Sequence, residues 1–310
     1  MIWKRKNIGL ALGAGGARGL AHIGVLRVFE DESIPIDIIV GSSIGALVGG
    51  AFASGLGTYE LEKRLEEFLE SSTYQESALK SMRAAEYSDR KLSLTQKIQA
   101  FFKNRLLLAQ AMFKPGILES EDFHGMIDFF LPDIEIQDTL IPFRAVATDL
   151  VSGEPVVISQ GSLRKAVMAS CAVPGAVSPQ STDGMLLSDG GIIYMVPTTV
   201  AREEGAEYLV AVSVNSKVHS SEKFSTAIDT YVRSTTIGLF HIEQRLLREA
   251  DVVILPKVGN LHWTDFGRAT ELILEGERAA REKLPDIGKA FHSSIRRLPS
   301  ELFKRIFKRC

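Results

Sequence analysis

Hydrophobic positions along the chain fall into short continuous runs that alternate with helical spacing, and this alternation sets the fold class. Residues 8–12, 36–40, 208–214 and 252–255 are largely apolar stretches of strand length, as expected of strands covered on both faces. Between the first two, residues 20–31 carry Leu20, Ile23, Val25, Leu26, Val28 and Phe29 at three- and four-residue intervals, which predicts a helix packed on the sheet. Residues 46–53 predict another helix, and Thr58 reads as the N-cap of a third, with Leu61, Leu65, Phe68 and Leu69 on one face. Further helices are expected over 120–130, 162–171, 226–250 and 269–283. Two strands joined by a turn are expected at 143–148 and 155–159, and residues 186–188 lead into a strand-end turn. The pattern is that of an α/β protein with a mostly parallel sheet sandwiched by helices.

Two regions break this rhythm. Residues 71–90 are polar and read as irregular, while 92–113 set an apolar side (Leu94, Ile98, Phe101, Leu106) against Lys97, Lys103 and Arg105. That second stretch reads either as a lid or lipid-meeting surface, or as a helix closing the core. The tail, 288–310, interleaves Lys289, Arg296, Arg297, Lys304 and Arg305 with Phe291, Ile295, Phe303 and Phe307. Such a pattern suits an interfacial helix on an anionic membrane, or a basic helix docked on the domain. The expected organisation is a domain over 1–285, with a motif-bearing core at 8–214 and a helical insertion at about 71–130, followed by a basic amphipathic tail at 286–310.

Composition narrows the classes. With 45% hydrophobic and 24% charged residues the 310-residue chain is expected to bury a full core, and a net charge of −2 gives no overall attraction to nucleic acid. Two cysteines, Cys171 and Cys310, do not make a disulfide framework, and a reducing, cytoplasmic setting fits, with peripheral membrane contact through 92–113 and 288–310. The basic start ahead of residue 8 imitates a secretory signal, but cleavage nearby would discard the glycine loop that follows. Residues 34–56 are nearly apolar over a spanning length, yet Asp37 and a glycine-serine turn divide them, so no transmembrane helix is expected.

That turn is the centre of the candidate chemistry. Gly41-Ser-Ser-Ile-Gly45 lies between a strand and a helix, where small flanking residues let the backbone bend and lift the Ser43 hydroxyl clear of the sheet. A serine needs a base and an oxyanion site. Gly13-Ala-Gly-Gly-Ala-Arg-Gly19 offers bare backbone amides at a helix start; the rival reading, a dinucleotide loop, fits imperfectly, because the third glycine position is Arg18 and Gly41 stands where an acidic residue would. None of the six histidines lies in a turn that would present a base, whereas Asp189 does, although Asp-Gly-Gly is also a common turn sequence.

Together with Ala169-Ser-Cys-Ala-Val-Pro174, these blocks resemble, in order, the four motifs of the patatin-like phospholipases. The resemblance covers about 8–214 and implies a three-layer fold related to the α/β hydrolases. It also implies a Ser-Asp dyad of Ser43 as nucleophile and Asp189 as general base, with Gly15 and Gly16, and Ala17 as a further donor, supplying oxyanion amides. Gly13, Arg18, Gly19, Gly41, Gly45, Pro174, Gly190 and Gly191 match motif positions that support the site. The implied reaction is hydrolysis of fatty-acyl esters of phospholipid or lysophospholipid through an acyl-serine, needing no metal and no cofactor. An acyltransferase using the same serine is the alternative. A non-catalytic regulatory protein is a further one, against which the intact Ser43 and Asp189 speak.

Overall fold

The first apolar run is strand β1 (Ile8–Leu12), buried at every position, and the whole molecule is arranged on either side of it. The computed structural model describes residues 6–76, 120–215, 218, 226–259, 261 and 265–292. The 92–113 stretch, most of the expected insertion and the tail beyond 292 lie outside them. Among the described residues one mixed sheet holds eight strands: β1, β2 (Ile38–Ser42), β3 (Phe143–Asp149), β4 (Pro155–Ile158), β5 (Gln180–Thr182), β6 (Met185–Asp189), β7 (Tyr208–Val212) and β8 (Val252–Ile254). The order β3-β2-β1-β7-β8 is parallel throughout, and β4, β5 and β6 join antiparallel around β3.

Helices α1 (Ala21–Asp31), α2 (Ile44–Ala53), α3 (Thr58–Glu70), α4 (Ser72–Glu76), α5 (Ser120–Phe130), α6 (Leu163–Ser170), α7 (Thr198–Glu203), α8 (Ala227–Leu246), α9 (Ala269–Ile287) and α10 (Lys289–His292) complete the described chain. Side chains alternate across the sheet with the two-residue period of a strand. Leu10, Leu12, Ile39 and Val210 join α1, α2, α3 and α9 in the larger core, while Ala11, Val40 and Leu209 meet Val200 and Ala201 of α7 on the other face. The result is a three-layer α/β arrangement.

Tertiary contacts moved several boundaries from where the sequence puts them. The second strand begins at Ile38 instead of 36, because Asp37 exchanges hydrogen bonds with the backbone of Ile8: its carboxylate accepts from the Ile8 amide at 2.7 Å and its own amide donates to Ile8 O at 2.8 Å. The strand then runs on into Gly41 and Ser42. Thr58 is the first helical residue and not the cap; Gly57 holds the cap position. The capping acceptor comes from α1, where Glu30 takes both the Thr58 amide (3.1 Å) and its hydroxyl (2.5 Å). Within 71–90, Ser72–Glu76 is helical, contrary to the irregular reading of that part. Helix α9 continues four residues past 283, to Ile287. Ser162 and Thr226, which begin two of the expected helical ranges, are the N-caps of α6 and α8.

Helices α1 and α9 cross at two glycines. A Cβ on Gly24 would lie 1.8 Å from Ile273 O, and one on Gly276 would lie 1.9 Å from Ala21 O. Over the same crossing Arg27, buried, bridges Glu62 of α3 at 2.7 Å and Glu277 of α9 at 2.8 Å. The helix that follows the glycine loop is therefore fixed against the last long helix of the described chain.

Candidate active site

Strand β2 delivers Ser43 at its carboxyl end, the edge at which parallel sheets place ligands. Ser43 sits at φ 55°, ψ −126°, a conformation costly for a residue with a side chain and typical of serines lifted out of a sharp turn. The turn closes only because its flanks are bare: a Cβ on Gly41 would lie 2.5 Å from Ala46 Cα, and one on Gly45 2.2 Å from Leu12 O. The Ser43 amide donates to Ser170 Oγ at 3.0 Å, and that hydroxyl donates to Val146 O at 2.6 Å.

Asp189 ends β6 and reaches the same point. The Ser43 hydroxyl donates to Asp189 Oδ2 at 2.6 Å, and the Gly191 amide donates to Oδ1 at 2.7 Å. Ser43 and Asp189 are 5% and 6% exposed, so the pair is largely withdrawn from water. Burial pushes the Asp189 carboxyl up to about 6, against the opposing effect of its hydrogen bonds from Ser43 and Gly191. The Asp189 backbone is held as well, its amide donating to Ala172 O at 3.0 Å and its carbonyl accepting from Thr148 Oγ1 at 3.1 Å.

The third sequence block thus touches both partners: Ser170 holds Ser43, and Ala172 holds Asp189. Ser170 lies inside the quoted motif, but only its position at the buried end of α6 reveals the contact. Pro174 opens the turn after it, in which Val173 O accepts from Ala176 and Val177.

The glycine loop lies beside the pair. Its amides are engaged as far as Ala14, with Gly13 donating to Val212 O (3.0 Å) and Ala14 to Met195 O (2.8 Å). Gly15, Gly16 and Ala17 then enter a 3-10 turn over Gly16–Leu20, so their amides precede any intrahelical acceptor. Gly16 takes φ 57°, open to glycine at little cost. Gly19 packs beneath Ile44, the residue after the serine, and Arg18 Nε donates to Gly15 O at 3.1 Å.

Histidine takes no part in the pair among the described residues. His22 is fully buried and bonded to Gly13 O at 2.8 Å, and burial pushes it down to about 4, so it is neutral at ordinary pH. A cavity of about 100 Å³ opens from Gly16 and Ser43 between α2, α3 and α5, walled by Leu47, Leu65, Phe123, Phe130 and Cys171. The sequence reading gave α3 and α5 no part in the site. Their apolar stripes predict burial, but not that they leave a space beside the serine.

Residues 10–202 match the family model described as Patatin-like phospholipase. An uncharacterized NTE family protein of Mycobacterium tuberculosis is 35% identical over 242 residues, covering 76% of this chain and 58% of the relative. Human patatin-like phospholipase domain-containing protein 6 is 30% identical over 257 residues, covering 82% of this chain and 16% of that protein. The chain therefore spans only part of each of these relatives. Among solved structures, VipD from Legionella pneumophila aligns with a TM-score of 0.45 at 15% identity, over 91% of this chain and 67% of that one.

Proposed function

Because the chain belongs to the patatin-like phospholipase family, we propose that it is a serine lipid acyl hydrolase of phospholipase A or lysophospholipase type. Family membership implies action on lipid acyl groups. The dyad reading rests on one observation above the others, the 2.6 Å hydrogen bond from the Ser43 hydroxyl to Asp189 at the mouth of an apolar cavity.

In this reading Ser43 Oγ attacks the ester carbonyl carbon as its proton passes to Asp189. A carboxylate of ordinary basicity is a poor acceptor for that proton, and the burial that lifts Asp189 to about 6 narrows the gap. Negative charge developing on the carbonyl oxygen is met by the Gly15 and Gly16 amides, with Ala17 next in line, at the start of the 3-10 turn. Asp189 returns the proton to the departing alcohol oxygen, leaving an acyl group on Ser43. Water, deprotonated by the same carboxylate, then attacks the acyl carbon, and the C–Oγ bond breaks as Asp189 returns the proton to Ser43 Oγ, releasing the fatty acid. The cavity walls offer an apolar bed for the acyl chain, so burial of methylene groups contributes to substrate binding.

The reading is tested by treating the protein with a fluorophosphonate and by assaying fatty-acid release from lysophosphatidylcholine. Labelling at Ser43 and release by the wild type, both lost in Ser43→Ala, are expected. Undiminished release by Ser43→Ala would remove Ser43 from the reaction.

A further inference from the structure

Helix α8 buries a single one of its described residues, and that residue is charged. Along Ala227–Leu246 the helix exposes Tyr231, Val232 and Ile242 while Glu243, 2% exposed, turns inward. This reverses the usual preference for burying apolar groups and needs a partner for the carboxylate. Glu243 Oε1 accepts from Ser213 Oγ at 2.5 Å and from Asn215 Nδ2 at 3.1 Å. Asn215 Nδ2 also donates to Ala14 O at 3.2 Å. With two acceptors on one nitrogen, the orientation of the amide is settled by its hydrogen bonds.

Three successive carbonyls of the glycine loop are each gripped by a side chain. His22 holds Gly13 O (2.8 Å), Asn215 holds Ala14 O (3.2 Å) and Arg18 holds Gly15 O (3.1 Å). A trans peptide is planar, with its C=O and N–H pointing in opposite directions. Fixing the Ala14 carbonyl therefore fixes the Gly15 N–H, and fixing the Gly15 carbonyl fixes the Gly16 N–H. These are the two amides assigned to the oxyanion. Arg18 also feels the Glu243 charge, so one carboxylate bears on both grips.

We propose that Glu243 and Asn215 are positioning residues for the oxyanion site: Glu243 locks the Asn215 amide onto the Ala14 carbonyl and so aims the Gly15 N–H at the developing charge. The proposal rests on the reading of Ser43 and the glycine loop given above. Neither residue touches substrate. Loss of the grip frees the 14–15 peptide to rotate, which weakens stabilisation of the transition state and leaves ground-state binding of the ester nearly intact.

The test uses the full chain, a soluble ester (p-nitrophenyl butyrate), and an alkyl trifluoromethyl ketone, which binds an active serine as a tetrahedral hemiketal with an oxyanion. Removing one oxyanion donor outright costs about 100- to 1,000-fold in kcat, so loosening one is expected to cost about 10- to 100-fold. Asn215→Ala and Glu243→Ala should each show that fall in kcat with KM within about twofold, and the ketone Ki should rise by the factor by which kcat/KM falls. The double variant should be no worse than the poorer single one, since the two act as a unit. Glu243→Gln keeps an acceptor oxygen for Asn215 and should recover most of the loss.

An unchanged kcat in both alanine variants overturns the proposal. So does a fall in kcat with an unmoved Ki, because a smaller folded fraction lowers rate without altering the affinity of the sites that remain. If Glu243→Ala does not fold, Asn215→Ala decides by the same criteria. Should Ser43→Ala match the wild type, the parent reading of the site fails. A dead Ser43→Ala beside an unaffected Asn215→Ala removes only the positioning role.

Discussion

Ser42 and Asp189 lie opposite consecutive residues on one edge of β3, Ser42 facing Val146 and Asp189 facing Ala147. Strand β4 occupies the other edge, pairing Ala145 through Thr148, so β6 must take up the edge at the point where β2 leaves it. The strand that carries Ser43 turns away just where the strand that carries Asp189 arrives. A contact between residues 146 positions apart is thus fixed by ladder register, and the side chains need only bridge the last few ångströms.

That register predicts the effect of Gly190→Ala. The new Cβ would stand 2.2 Å from Val146 O and 2.8 Å from Ser42 Oγ, which forces β6 away from the edge. We expect ester hydrolysis to fall by about 100-fold or more and stability to drop by about 2 kcal/mol, measured by steady-state kinetics and urea denaturation. An active, stable Gly190→Ala would mean that the edge tolerates displacement.

Asp189→Asn takes away the proposed base while keeping the shape. We expect kcat to fall about 100- to 10,000-fold with the fold intact. In the proposed mechanism Asp189 accepts a proton only when ionised, so kcat/KM of the wild type should drop tenfold per unit below pH 6 and level off above it, as follows from a carboxyl raised to about 6. A midpoint near 4 in the pH profile would show that burial does not perturb Asp189.

The same shift has a cost in stability. With its folded value near 6, above the usual carboxylate range, Asp189 binds more protons in the native than in the unfolded chain between about pH 4 and 6. Its contribution therefore falls as pH rises through that window, by about 3 kcal/mol in all. Asp189→Asn should resist denaturation better than the wild type at pH 7, and the gap should narrow at pH 4. Equal gaps at both values would sink this account.

The strained serine offers a separate check. At φ 55° a glycine is at ease where alanine is not, so Ser43→Gly should unfold later than Ser43→Ala by about 1 kcal/mol, although both are expected to be inactive. Coincident denaturation curves would mean that the turn stores no such strain.

The parts legible in the sequence are those where local pattern and tertiary role coincide. Buried parallel strands show as apolar runs, and Ser43 and Asp189 announce themselves through flanking glycines that the turn geometry requires. Strand β5 was missed because its three residues, Gln180 to Thr182, are polar and mostly exposed. Helix α7 was missed because six residues carry too little periodicity. Ser170, Asn215 and Glu243 are single polar residues whose contacts arise only when distant elements come together. Thr58 shows the converse, a plausible cap displaced because Glu30 supplies the acceptor from another helix.

Strands β7 and β8 and helix α9 all lie beyond residue 202, where the family match ends, yet β7 pairs with every residue of β1 and α9 fits its glycine against α1. A fragment trimmed to that match would bare the backbone of the central strand along one whole side, an invitation to pair with other copies. The stretch that the family model matches is shorter than the unit that covers its central strand on both sides, and an expression fragment of this chain is better cut after Ile287.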